Sequence, residues 1–245
     1  MPSLPSRQAE LALLGGRPFA HRGLHGPGRP ENSRAAFEAA IAAGSGIELD
    51  VQASRDGEAI VFHDERLDRL TTARGLVTDL KAAELAELRL AATAETIPPL
   101  SDVLRLIDGR VPLLIEVKAP HRRVAPLCRA VEAALAGYSG PVGVMSFNPE
   151  VGAWFADHAP ERLRGLIVSE SGKKGWRGRI ERSLSFRRAR ADFLAYDIRD
   201  LPSVFAGKKR EAGVPVFTWT VRGDADRARA AAYADQIVYE DVAAA

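Results

Sequence analysis

The stretch IELDVQASRDGEAIVFHD, residues 47 to 64, decides how the chain folds. Its first half alternates: Ile47, Leu49 and Val51 are apolar, whereas Glu48, Asp50 and Gln52 are polar. Successive side chains of a strand point to opposite faces, so each set shares one face. A second run, VPLLIEVK at 111 to 118, repeats the pattern, with Val111, Leu113, Ile115 and Val117 opposed to Glu116 and Lys118. If helices cover the apolar parity, the polar parity points to the other face, which in a closed sheet is the interior.

Apolar runs and amphipathic segments alternate on either side of these two. Strands are expected at 18 to 22, 46 to 51, 111 to 118, 142 to 147, 163 to 169, 192 to 198, 214 to 221 and 235 to 240. Among the helices, SRAAFEAAIAAG has Asn32 or Ser33 as its cap and Gly44 as its stop, and SDVLRLIDG has Ser101 as cap and Gly109 as stop. Eight strands separated by helices in 245 residues predict an α/β protein, a closed (β/α)8 barrel forming one domain over 1 to 245. An open doubly wound sheet is the alternative, but the chain carries no G-x-G-x-x-G, and neither GKK stretch is followed by Ser or Thr. An extra short strand, AIVFHD at 59 to 64, follows the Asp56-Gly57 turn, and 65 to 98 forms a small insertion after the second strand. No segment of helical length follows the eighth run, so SRQAELALL near the N-terminus is expected to fill that helix position.

Lys plus Arg number 34 and Asp plus Glu 32, a net charge of +2, so the overall balance gives no sign of nucleic-acid binding. The single cysteine, Cys128, excludes an intrachain disulfide and a cysteine-rich zinc site. It lies on a helical stripe with Val124, Leu127, Val131 and Leu135 and reads as packing. The first sixteen residues lack a basic start and a long apolar stretch, and no run reaches membrane-spanning length, so a cytoplasmic chain without stable membrane insertion is expected.

The polar residues cluster at the C-terminal ends of their runs, the end at which such barrels place their chemistry. His21 ends the first, Glu48 and Asp50 the second, His63 the added strand, Glu116 and Lys118 the third. Three carboxylates converging near a barrel axis repel one another unless a cation lies among them. Oxygen-only ligation points to a divalent ion, Mg²⁺ or Ca²⁺, held by Glu48, Asp50 and Glu116. The competing reading, two carboxylates on a half-exposed strand, accounts neither for the flanking parity nor for the matching Glu116-x-Lys118.

The segments AHRGLHGPGRPENSRAAFEAAIAAGSGIELDVQASRDGEAIVFHDERLDRLT, IPPLSDVLRLI and VPLLIEVKAP together resemble the glycerophosphodiester phosphodiesterase family, with its HRG, its E-x-D and its HD in order. The similarity continues through VMSFNPE and FTWTV and fades in the last third. It implies a TIM barrel that uses a divalent cation to hydrolyse glycerophosphodiesters to glycerol 3-phosphate and an alcohol, within glycerol and lipid metabolism. Carried onto this chain, it makes His21 and His63 the acid and base, Glu48, Asp50 and Glu116 the metal ligands, and Arg22 and Lys118 phosphate-facing cations. Glu31 is a further candidate near the site, and an aromatic rim of Phe147 and Trp219 would contact the glycerol or alcohol; packing in the barrel's upper layer is the other reading of these two. The chain departs from the family pattern at GSG before E-x-D, at ENS where a threonine is usual, and in the ending QIVYEDVAAA.

Two alternatives stand beside this: a lysophospholipase-D-like hydrolase of lipid phosphodiesters, and a non-catalytic phosphodiester-binding protein. His158 reads as a helix-end residue, and His25 and His121 sit in loops without a comparable setting. The basic segment SGKKGWRGRIERSLSFRRARA, 171 to 191, is either a solvated helix face or a surface that attracts anionic diesters or an anionic membrane.

Overall fold

The alternating parity is realised as a closed barrel in the computed structural model, which describes residues 6–241. The elements are α1 (Arg7–Leu14), β1 (Phe19–Ala20), α2 (Arg34–Ala42), β2 (Gly46–Ala53), β3 (Ala59–Val61), α3 (Ala82–Ala86), α4 (Leu100–Ile107), β4 (Leu113–Val117) and α5 (Ala125–Leu135). They continue with β5 (Val142–Ser146), α6 (Pro149–His158), β6 (Leu163–Val168), α7 (Trp176–Ala189), β7 (Phe193–Asp197), α8 (Val204–Glu211), β8 (Val216–Val221), α9 (Gly223–Tyr233) and β9 (Gln236–Tyr239). All strands but β3 pair in parallel in the ring order β1, β2, β4, β5, β6, β7, β8, β9, and β9 pairs with β1 to close it. The eight expected strands are therefore the eight staves of a TIM barrel.

Outside the barrel, Ile47, Leu49, Val51, Leu113, Ile115 and Val117 pack with Phe37, Leu100, Val103, Leu127, Cys128 and Val131 of the surrounding helices. Cys128 is fully buried there, and burial pushes its thiol up to about 12, which fits a packing role. Inside, Phe19, Leu114, Met145, Ile167, Phe193, Ala195, Phe217 and Val238 fill the barrel interior. The β3 strand runs antiparallel to the end of β2, with Val51 opposite Val61. Beyond it, residues 65 to 98 pack Leu67, Val77, Leu85, Leu90 and Ile97 against Ile60 and Phe62 as a satellite core.

Two local expectations are corrected. Ser101 does not cap α4: Leu100 is fully buried and belongs to the helix, so the first turn begins earlier and Pro99 precedes it in an extended conformation. Nor does the N-terminal helix take a place among the outer helices. Leu14 at the end of α1 joins the interior cluster with Phe193 and Phe217, so α1 closes the barrel floor. Arg7 anchors it by donating to Asp192 Oδ1 at 3.0 Å and to the carbonyls of Glu161 and Arg162, all ahead of β6 and β7. At Gly143 on β5 an added Cβ would stand 2.8 Å from Leu14 Cδ2, so the glycine makes room for this plug.

Replacing fully buried Leu14 by Ala is expected to cost about 2 to 5 kcal/mol of unfolding free energy. Urea unfolding measures this; a loss below about 1 kcal/mol would mean that α1 does not plug the barrel.

Candidate active site

Strand register brings the acidic residues together. Asp50 on β2 lies directly opposite Glu116 on β4, and both belong to the inward parity, as does Glu48 two residues earlier. One oxygen from each of Glu48, Asp50 and Glu116 lies within 4.8 Å of the others, and all three residues are buried. Lys118 lies between two of them, with Nζ 3.0 Å from Asp50 Oδ1 and 2.8 Å from Glu116 Oε1. Arg22 reaches the same group, its backbone N–H donating to Glu48 Oε2 at 3.1 Å and its Nε 3.4 Å from Asp50 Oδ2.

The electrostatics are unequal. Burial, followed by the charges of Asp50 and Glu116, pushes Glu48 well above the usual carboxylate range. Burial and then the Asp50 charge push Glu116 up to about 7. Burial acts on Asp50 in the same direction, yet Lys118, Arg22, His63 and the Asn32 amide outweigh it and hold Asp50 below its ordinary value. Asp50 Oδ1 has no hydrogen-bond partner despite its ion-pair contact with Lys118. A buried carboxylate oxygen without a hydrogen bond, amid three clustered carboxylates, matches the hard-oxygen donor set of a divalent cation.

The turn after β1 is built around left-handed residues. Arg22 and Asn32 both have φ of 56°, and Gly23 has φ of 77°. A Cβ on Gly23 would come within 2.9 Å of Ala36 and Phe37, so only glycine lets the turn lie against α2. Of the two cap candidates, Ser33 caps α2, accepting from Ala36 N, and its hydroxyl performs the role at ENS. Asn32 instead donates from Nδ2 to Asp50 Oδ2 at 2.9 Å, a contact invisible to helix-capping arguments.

Both histidines line one cavity of about 350 Å³, with Arg22, Glu48, Glu116, Lys118, Phe147 and Trp219. His63 lies two residues beyond the end of β3. Its Nδ1 is 2.7 Å from Asp64 Oδ1, and burial brings the ring below its ordinary pKa against the pull of Asp50. The matching arrangement at His21 was not expected: Nδ1 lies 2.5 Å from Glu240 Oε1, while Nε2 is 3.9 Å from Glu48 Oε2. The His21 and Arg222 contacts overcome burial and hold Glu240 at about 2. With each Nδ1 committed to a carboxylate as donor, each Nε2 is the free atom.

Glu31 lies outside the acidic cluster. It accepts from Arg22 at 2.7 Å and from Arg69 at 2.7 Å, and so ties the site turn to the insertion. Phe147, half exposed, meets Trp219 edge-on at 5.7 Å between ring centroids. Trp219 also donates to Ala195 O at 3.0 Å, so it both packs in the barrel and faces the cavity. His25 is 4.0 Å from Glu240, and His158 stacks on Trp154 at a helix end. Asp197 and Arg199, which were not anticipated, face the far wall as a pair with a 2.6 Å contact.

The family described as "Glycerophosphoryl diester phosphodiesterase family" matches residues 21–242. A glycerophosphodiester phosphodiesterase of Caldanaerobacter subterraneus is 30% identical over 221 residues, covering 86% of this chain and 88% of that protein. One from Bacillus altitudinis is 44% identical over 107 residues, covering 41% of this chain and 43% of that protein. A phosphodiesterase of Oleispira antarctica, solved with the product sn-glycerol-3-phosphate, superposes with a TM-score of 0.78 at 25% identity, covering 90% of this chain and 91% of that one.

Hydrogen bonds from Arg69 and His63, working against partial burial, hold Asp64 at about 2. A depressed carboxylate stabilises the fold above its unfolded value near 3.9, and this contribution disappears as pH falls through about 2. Because Arg69 is exposed, the effect is expected to be no more than about 1 kcal/mol. Thermal unfolding of wild type and Asp64→Asn should therefore differ at pH 5 and converge toward pH 2; a gap independent of pH would contradict the pairing.

Proposed function

The chain belongs to the glycerophosphoryl diester phosphodiesterase family, and on that premise we propose that it is a phosphoric diester hydrolase that cleaves glycerophosphodiesters to glycerol 3-phosphate and an alcohol, with His21 and His63 as proton carriers. The observation that carries this reading is the pair of imidazoles, each tied through Nδ1 to a carboxylate and lining the same cavity as Glu48 and Glu116. The Oleispira relative's product is the one this chemistry would release.

Glu48, Asp50 and Glu116 would hold a divalent cation, Mg²⁺ or Ca²⁺ by their all-oxygen chemistry. When bound, that ion supplies positive charge against the phosphoryl oxygens. Lys118 and Arg22 add fixed positive charge from the same wall, so a phosphodiester anion finds complementary charge there before reaction. Phe147 and Trp219 offer apolar surface to the glycerol or alcohol carbons.

His63 is suited to act first as base, because burial favours its neutral ring. Its Nε2 takes the proton of the substrate's 2-hydroxyl, whose oxygen attacks phosphorus. The bond to the leaving alcohol breaks, and His21 Nε2 protonates the departing oxygen. The products of this half are the free alcohol and a five-membered cyclic phosphate. Water then opens the ring with the proton roles reversed, restoring both histidines. Asp64 and Glu240 keep the rings oriented and face the positive charge whenever a ring carries two protons.

On a panel containing glycerophosphocholine and a lysophospholipid, His21→Ala and His63→Ala are each expected to lower kcat/KM by about 100-fold or more. Either variant remaining within tenfold of wild type would refute the assignment. A base must be neutral to work, so a lowered His63 value extends activity to more acidic pH. The acid limb of kcat/KM should fall below the ordinary imidazole value of about 6.5; a limb above it would show that His63 is not the base.

A further inference from the structure

We propose that the outward face of α7 is a docking surface for an anionic phospholipid bilayer. The helix is inverted relative to an ordinary surface helix. Its buried positions are Gly178, Arg182 and Ala189, whereas Trp176, Ile180 and Leu184 are 62%, 50% and 59% exposed. At 3.6 residues per turn, these three apolar side chains fall within roughly 80° of one another, on the side opposite the buried set.

The inversion has a cause within the fold. A Cβ at Gly178 would stand 1.8 Å from Lys173 O, so this part of the helix lies directly on the preceding loop. Arg182 turns inward, 3.1 Å from Glu170 and donating to Lys173 O at 2.9 Å. Glu170 in turn accepts from Tyr196 and Ser203, each at 2.6 Å. This polar lock, with Ala189 and Phe186 packed in the apolar cluster beneath, holds the helix to the barrel, while the three large apolar side chains stay half exposed on the far side.

What covers that ridge is indicated by its flanks. Seven exposed Lys or Arg residues, Lys173, Lys174, Arg177, Arg179, Arg187, Arg188 and Arg190, lie between 171 and 190 against Glu181 alone. Arg188 and Arg190 pair with Glu150 and Asp157, and Lys173 with Glu181. Among the described residues Arg177, Arg179 and Arg187 have no carboxylate within ion-pair distance, and Arg177 lies over the Trp176 ring at 5.3 Å. An apolar ridge with a tryptophan at one end and unpaired arginines on its flanks suits the boundary between acyl chains and anionic head groups. A nucleic acid would satisfy the arginines but leave the ridge wet, and a second copy would set arginine against arginine. No helix among the described residues is long and apolar enough to cross a membrane, so contact would be interfacial.

The test is independent of the hydrolytic reading, since it measures sedimentation of the full chain with vesicles. Wild type is expected to pellet with phosphatidylglycerol–phosphatidylcholine vesicles at low salt, and far less with phosphatidylcholine alone or at high salt. The Trp176→Ser, Ile180→Ser, Leu184→Ser variant should bind at least about tenfold more weakly. Arg177→Glu with Arg187→Glu should lose at least about fivefold for each arginine removed. Both variants should keep the wild-type circular dichroism spectrum and turnover of a soluble glycerophosphodiester. Failure of wild type to bind, binding unaffected by the serine variant, or a wild-type dimer dissolved by that variant would each overturn the proposal.

Discussion

A shortage of positive charge at one end of the barrel governs this molecule. Three carboxylates, Glu48, Asp50 and Glu116, are buried within reach of one another, and among the described residues Lys118 and Arg22 are the permanently charged partners that make ion pairs with them. The imbalance is expressed where the cations are least effective: Glu48 and Glu116 are driven toward the neutral acid while Asp50, which both cations contact, remains ionised. Buried charge is tolerated only when paired, so the cluster could hold a further cation. With a cation bound there, the site would present positive charge to an anionic ester lying across it.

The barrel delivers this cluster by register alone. Asp50 and Glu116 face one another because β2 and β4 pair at that level, and Glu48 follows from the twofold repeat of the strand. Below them the interior is apolar and closed by Leu14 of α1, which keeps the polar groups at the upper mouth. Around them, short polar contacts fix each group: Asn32 on Asp50, Asp64 on His63, Glu240 on His21, and Glu31 bridging Arg22 to the insertion.

Much of this was legible in the sequence because a strand repeats every two residues. The parity of 47 to 52 and 111 to 118 was enough to predict which side chains enter the barrel, and their position at strand ends predicted the mouth at which they gather. Contacts set by the closed ring were not legible. Glu240 meets His21 only because β9 pairs with β1, joining residues 219 apart. The place of α1 is not legible because its fully buried side chain, Leu14, gives no periodic signal distinguishing a floor plug from an outer helix. In α7 the run of charge was visible, but apolar residues four apart ordinarily mark a buried stripe, and only the Arg182–Glu170 lock shows that here they face outward.

The central claim, that the acidic cluster is a cation site, is tested most directly by anomalous diffraction from crystals grown with Mn²⁺. One anomalous peak should lie within bonding distance of oxygens from Glu48, Asp50 and Glu116, with Lys118 displaced from at least one of them. A cluster that remains bridged by Lys118, with the ion elsewhere or absent under saturating Mn²⁺, would contradict it.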